Sequence, residues 1–240
     1  MPIRVSDTLK KLLIIYVGMF VLVQGADQFL HANLQGWLAL IPAQVLSGKI
    51  WQLITYSFLH ADVMHLILNC LVLAFVGSDL EGIWGTKKFL TYYFYCTAMA
   101  GLFYLVVQMI MWNPAYLSIP MVGASGGIYG LLLAYGILFP DREMLFMMIF
   151  PMKAKQFVFV LAGIEFLQAL FSGQGGLGAV AHLSGMGAGF VYLWLQAKGI
   201  RMRKERGLSA SPLKKKNPGH LRLIKREEDE EGPRGPKTWH

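Results

Sequence analysis

Apolar residues run through this chain in long unbroken blocks, not in the short amphipathic periods of a soluble fold. A helix that crosses a bilayer needs roughly 20 mostly apolar residues. Six stretches approach that length: 12–29, 63–82, 89–111, 122–139, 156–171 and 178–196. The third and fourth are parted by "WNPAYLSIP", a turn-rich break with two prolines. The fourth and fifth are parted by "PDREMLFMMIFPMKAK", which is partly apolar and is predicted to hug the membrane interface. Residues 30–62 link the first two stretches and include "GWLALIPAQVLSGKIWQLITYSFLH", with two tryptophans and one charge. That segment is too apolar for a solvated loop and too broken for a span. It is predicted to lie in the outer interface as an amphipathic or re-entrant element.

The pattern predicts an all-α membrane protein of six transmembrane helices, with a membrane-interfacial loop between helices one and two. Charge tests this map. Arg4, Lys10 and Lys11 precede the first span, Lys87 and Lys88 join the second to the third, and Arg142, Lys153 and Lys155 join the fourth to the fifth. The other side has Lys49 alone. Lys and Arg collect on the cytoplasmic side of membrane proteins, so both termini are expected there. The first stretch, "KKLLIIYVGMFVLVQGADQ", also fits a signal peptide, whose removal leaves the orientation of the other five spans unchanged.

Composition agrees with a membrane core. The chain has 240 residues, 55% hydrophobic and 15% charged, against about 25% charged in soluble domains. Of its 22 Lys/Arg and 14 Asp/Glu, residues 198–240 hold 13 and 6. The expected organisation is a membrane domain over 1–197 and a basic, disordered cytoplasmic tail over 198–240. The tail reads as a solvated topology anchor or as an electrostatic contact with anionic lipid. No basic fold supports nucleic-acid binding. Cys70 and Cys96 sit inside apolar runs, which excludes a disulfide framework and leaves buried free thiols.

Ionisable and polar groups within a membrane are costly, so each invites a functional reading. The second span carries "HLILN", which sets His65 and Asn69 on one helix face. The fourth carries Ser125 in its first turn, between Gly123 and Gly126, and the sixth carries His182 in "AHLSG". All three spans enter from outside, so these groups lie roughly 3–10 Å below the outer boundary. Lys and Arg set that topology without reference to the polar groups. Gly126 and Gly130 stand four apart, as do Gly185 and Gly189, and small residues at that spacing let helices approach closely. Such packing brings His182 toward Ser125, where histidine serves as general base to a serine nucleophile. Tyr129, one turn below Ser125, is placed to orient the imidazole.

A third, acidic member is harder to find. Asp141 and Glu143 lie about 25 Å below Ser125 by helix rise, and Asp79 and Glu81 are as remote. Glu165 alone is at a plausible depth; its readings are an interhelical hydrogen bond, a protonated state in lipid, and gating or water handling. The expectation is a Ser–His pair without an essential carboxylate. His65, the Asn69 amide and the Ser125 backbone N–H are the candidate oxyanion donors. His60 is expected to hydrogen-bond the loop.

"GASG" at Ser125, "FLHADVMHLILN" through His65 and Asn69, and "AHLSGMGAG" from His182 to Gly189, in this order, resemble the rhomboid family of intramembrane serine proteases over about 51–196. The resemblance implies a six-helix bundle, Ser125 as nucleophile, His182 as base, and His65, Asn69 and the serine backbone at the oxyanion. It implies substrates that are themselves transmembrane proteins, cut in or near their membrane segments. Many relatives carry a Trp-Arg pair in the interfacial loop; here the pair is Trp51-Gln52. That departure puts in doubt a guanidinium contact to lipid headgroups or loop carbonyls.

Substrate is expected to enter laterally from lipid, past the apolar loop and the fifth span as movable walls. One rival is an inactive rhomboid-like protein that binds or escorts membrane clients; loss of Ser125 or His182 would mark it, and both are present. A transporter or proton path using His65, His182 and Glu165 calls for polar residues along a full crossing, and the inner halves of spans two, four and six are nearly all apolar. The sequence carries no sign of a metal or organic cofactor. Its partners are membrane lipids and transmembrane substrates, with oligomeric state open. With no organelle-targeting extension in the sequence, a bacterial inner membrane is the expected location.

Overall fold

The computed structural model describes residues 5–110, 116–146, 149–173 and 176–205. The described residues up to Lys198 form one compact unit. The expectation of a disordered tail falls, from residue 206 on, outside the described residues.

Helix α1 covers Asp7–Leu30 and begins where the Ser6 side chain accepts a hydrogen bond from Leu9 N at 3.1 Å. Three short helices follow: α2 (Leu34–Leu38), α3 (Pro42–Leu46) and α4 (Gln52–Thr55). Then come α5 (Val63–Trp84), α6 (Thr86–Ile110), α7 (Ser125–Leu138), strands β1 (Glu143–Phe146) and β2 (Phe150–Lys153), α8 (Ala154–Phe171) and α9 (Gly176–Glu205). Among the described residues, α1, α5, α6, α8 and α9 are the five helices long and apolar enough to cross a membrane. The predicted fourth span is shorter than expected. Gly123 adopts φ +121°, a conformation that L side chains disfavour and that a helix cannot continue through, so Ala124 is the N-cap and the helix starts at the serine. Fourteen residues reach about 21 Å, short of a ~30 Å hydrocarbon core. The connection predicted to hug the interface contains an antiparallel β1–β2 pair, with Glu143 opposite Lys153 and with Leu145, Ile149 and Phe150 exposed.

α7 lies at the centre, packed on α5, α6 and α8. The outer faces of the long helices are apolar and exposed, as with Ile14, Phe103, Phe159 and Phe166. The interior holds tyrosines instead. Tyr56, Tyr92 and Tyr104 donate to the carbonyls of Thr97, Gly130 and Ile119 at 2.8, 2.9 and 3.0 Å, and the Tyr16 and Tyr93 hydroxyls meet at 2.5 Å. In lipid a buried hydroxyl has no water to fall back on, so each finds a protein partner.

The interfacial segment is pinned from both ends. Asp27 caps α2 by accepting from Leu34 N at 2.5 Å and Gln35 N at 2.8 Å. Gln52 is fully buried; its amide donates to Trp37 O at 3.2 Å and Gln44 Oε1 at 2.8 Å, and its oxygen accepts from Ile41 N at 3.1 Å. The loop-carbonyl contact that the Trp51-Gln52 departure put in doubt is therefore made by a neutral amide. Leu40 N and O pair with Met121 O and N at 3.0 and 2.9 Å, which ties the loop to the strand-like approach to Ser125. At the opposite end of α7, Asp79 accepts from the Tyr135 hydroxyl at 2.9 Å and pairs with Arg142 at 3.4 Å. Glu81 accepts from Ser6 and Thr86. These carboxylates are thus occupied far from the serine.

Candidate active site

Three helix ends meet beneath the interfacial loop. Asp62 caps α5 by accepting from His65 N at 2.8 Å, which fixes where that helix starts. α7 starts at Ser125, and α9 brings in His182 six residues after its first residue. Ser125 Oγ lies 2.7 Å from His182 Nε2, within the reach that a nucleophile and its base require.

Glycines allow this approach. A Cβ on Gly185 would stand 2.0 Å from Gly126 O, so α7 and α9 touch backbone to backbone one turn from the pair. A Cβ on Gly130 would meet Cys96 Sγ at 2.5 Å and Gly185 O at 3.2 Å. Gly189 does not extend that helix contact: it makes room for the Tyr92 hydroxyl of α6, 2.3 Å from its Cβ position. A Cβ on Gly126 would likewise meet Ala100 Cβ of α6 at 2.6 Å. A Cβ on Gly123 would collide with the His65 imidazole at 2.7 Å, so the glycine before the serine makes room for a ring from α5.

The pair opens into a cavity of about 180 Å³ lined by Tyr56, His65, Met121, Ser125, Gly178 and His182 among others. His65 thus borders the space where a carbonyl oxygen would sit beside Ser125. Asn69 is one turn deeper and buried, its amide nitrogen without a partner among the described residues, but it is not part of the cavity wall.

Tyr129 meets the imidazole by stacking. Its ring lies 4.1 Å from that of His182 at an interplanar angle of 8°. Its hydroxyl donates to Glu165 Oε1. Glu165 Oε2 in turn stands 3.1 Å from His182 Nδ1, with Glu165 only 5% exposed. The expectation was a pair without an essential carboxylate; a buried carboxylate, Glu165, stands beside the imidazole. Counting from the helix ends finds it: Glu165 lies six residues before the end of α8 and His182 six after the start of α9.

His60 does not hydrogen-bond the loop as expected. Among the described residues both ring nitrogens lack a hydrogen-bond partner, and the imidazole packs edge-on against Tyr16 and His65 at centroid distances of 5.6 and 5.2 Å. Burial, and next the His65 imidazole, push it down to about 4 against a weaker pull from Asp62, so it is neutral at physiological pH. Among the described residues no cluster of three or more His, Cys, Asp or Glu is arranged to hold a metal ion.

Comparison with known proteins agrees with this architecture. The rhomboid domain model matches residues 47–199. The chain is 28% identical over 204 residues to Rhomboid-like protein 19 of Arabidopsis thaliana, covering 83% of this chain and 62% of that one. It is 30% identical over 177 residues to Rhomboid protein 1, mitochondrial, of Saccharomyces cerevisiae, covering 72% and 49%. A putative rhomboid protease, YdcA of Bacillus subtilis, is 28% identical over 156 residues, covering 63% and 69%. The chain thus spans about half to three-fifths of the length of the first two relatives. With a family model matched from residue 47 to 199 and five apolar helices long enough to cross a bilayer, this integral membrane protein belongs to the rhomboid family.

Proposed function

We propose that the chain is an intramembrane serine endopeptidase that cleaves transmembrane proteins. The observation that carries this reading is the 2.7 Å contact between Ser125 Oγ and His182 Nε2 at the wall of an open cavity. Ser125 attacks a backbone carbonyl of the substrate, and its proton passes to His182 Nε2. The tetrahedral oxyanion forms beside the Ser125 N–H and the His65 imidazole. The buried, unpartnered Asn69 amide is the further donor available on the same face of α5. His182 then gives its proton to the leaving amine, and water hydrolyses the acyl-enzyme by the same relay. A helical substrate hides its carbonyls in its own hydrogen bonds, so the segment must unwind before Ser125 reaches it. The six-span reading takes α7 as the short fourth span, with both termini on the lysine- and arginine-rich side.

The test uses the full chain in detergent, treated with a fluorophosphonate, with Ser125→Ala and His182→Ala alongside. Labelling of the wild type that disappears in both variants supports an activated serine served by that histidine. A folded wild type that stays unlabelled, while a known active rhomboid labels in parallel, overturns the protease reading in favour of client binding.

A further inference from the structure

Glu165 stands on a helix that is otherwise loosely engaged. The buried positions of α8 are Ala154, Val158 and Glu165, whose spacings of four and seven place them on one narrow helix face. That face meets α7: Val158 fills the space beside Gly136, 2.8 Å from its Cβ position. Higher on the same face, Glu165 meets Tyr129 of α7 and His182 of α9. A carboxylate at membrane depth is retained only where donors compensate its lost hydration. A bond to the Tyr129 hydroxyl alone would account for one oxygen. The second oxygen faces Nδ1, and among the described residues neither it nor Nδ1 has another hydrogen-bond partner. The 3.1 Å approach is off the linear hydrogen-bond angle, as contacts between catalytic groups often are before substrate binds.

The protonation pattern follows from the atoms. Were the carboxyl protonated on Oε2, its proton would go to Nδ1, and the imidazole would carry its own proton on Nε2, aimed at Ser125 Oγ. No lone pair would then remain to accept the serine proton. With Glu165 ionised, Nδ1 carries the proton and Nε2 presents its lone pair to Ser125 Oγ 2.7 Å away. The other titratable groups facing this cluster are Tyr129 from α7 and His65 from α5.

We propose that Glu165 is a positioning residue of the Ser125–His182 pair, holding His182 in the Nδ1–H tautomer and stabilising the imidazolium formed during attack. This rests on the serine-protease reading. When Ser125 Oγ bonds to the substrate carbonyl carbon, the Oγ–H bond breaks and an Nε2–H bond forms. Glu165 stays ionised throughout and accepts no proton. Tyr129 has two tasks: its ring holds the imidazole plane, and its hydroxyl holds the carboxylate.

The test compares wild type, Ser125→Ala, Glu165→Gln, Glu165→Asp and Tyr129→Phe as full chains in detergent. Three quantities are read: the fluorophosphonate labelling rate, the thermal midpoint, and the His182 tautomer by ¹⁵N NMR. Glu165→Gln still accepts from Tyr129 but turns an N–H toward Nδ1. It is expected to move His182 to the Nε2–H form and slow labelling by roughly 10²–10⁴-fold, the range set by a wrong tautomer in a serine triad. Glu165→Asp is expected to keep the Nδ1–H signature and lose less. Labelling of Glu165→Gln within threefold of wild type, with an unchanged tautomer, overturns the proposal. If Glu165→Gln fails to fold, Glu165→Asp and Tyr129→Phe decide. Tyr129→Phe keeps the stacked ring and is expected to label about tenfold more slowly; wild-type rates and tautomers in both overturn the proposal. A wild type that does not label removes the nucleophile reading, and the tautomer shift in Glu165→Gln still decides what Glu165 does.

Discussion

Gly185→Ala puts the helix packing and the chemistry to one test. A methyl at Gly185 would stand 2.0 Å from Gly126 O and 2.9 Å from Gly126 C, where carbon contacts settle at about 3.5 Å. Both obstructing atoms are backbone, so no rotamer change relieves the clash, and α7 must part from α9 by about 1 Å or more. Overpacking of this kind costs about 1–3 kcal/mol, only partly offset by the ~1 kcal/mol that alanine gains over glycine in a helix. The larger effect is on geometry. Gly126 follows Ser125 directly, and Gly185 is one turn after His182, so the separation opens the 2.7 Å contact. A misplacement of about 1 Å costs roughly 100-fold in rate. The assay is time-resolved fluorophosphonate labelling beside thermal unfolding, both in the same detergent. Gly187→Ala is the control, because a Cβ there meets nothing within 4 Å. It is expected to label at the wild-type rate. Labelling of Gly185→Ala within threefold of that control would refute the close-contact reasoning.

Two further outcomes follow from the buried polar groups. His60 is neutral when folded and pushed down to about 4, against about 6.5 when unfolded. As pH falls below 6.5 the unfolded chain takes up a proton that the folded chain resists. Stability is therefore expected to fall by up to about 3 kcal/mol between pH 6.5 and 4; His60→Leu should flatten that slope in pH-dependent thermal unfolding, and an unchanged slope would assign it to other groups. Gln52→Leu leaves Ile41 N without its partner, while Trp37 O keeps the Trp51 indole N–H and Gln44 Oε1 keeps Lys49 Nζ. At about 1–3 kcal/mol for one buried orphan, a loss of that size is expected, read as a lowered thermal midpoint, and an unshifted midpoint would mean water replaces the amide.

Much of the site was legible because membrane burial makes polar residues conspicuous. Lysines and arginines set the direction of each span, and counting residues from span ends set the depth of Ser125, His65 and His182. The structure brings Ser125 and His182 together through the glycine contact that the spacing of Gly126 and Gly185 suggested. Other points needed coordinates. The late start of α7 depends on a positive φ at Gly123 that nothing in "VGASGG" demands. Gly189 follows the small-residue spacing, yet its open side faces a tyrosine of α6. His60 looked like a hydrogen-bonding residue, and its ring is used as an aromatic surface. Gln52 stands in for a cation because the loop offers it both carbonyls and an N–H, and an amide has donors and an acceptor where a guanidinium has donors alone.

Glu165 shows most directly why depth without azimuth is insufficient. By depth it was the one acidic residue near the serine, but on α8 the same height is shared by outward-facing Ile164 and Phe166. What decides its direction is the spacing to Ala154 and Val158, small and branched residues that fit against α7 at Gly136. Once that face is turned inward, the carboxylate has nowhere to go but between Tyr129 and His182. The packing of α8 and the protonation of the imidazole are thereby joined. Any displacement of α8 from α7 that carries Glu165 away also removes the carboxylate facing His182 Nδ1, and with it the group proposed to hold the imidazole's tautomer.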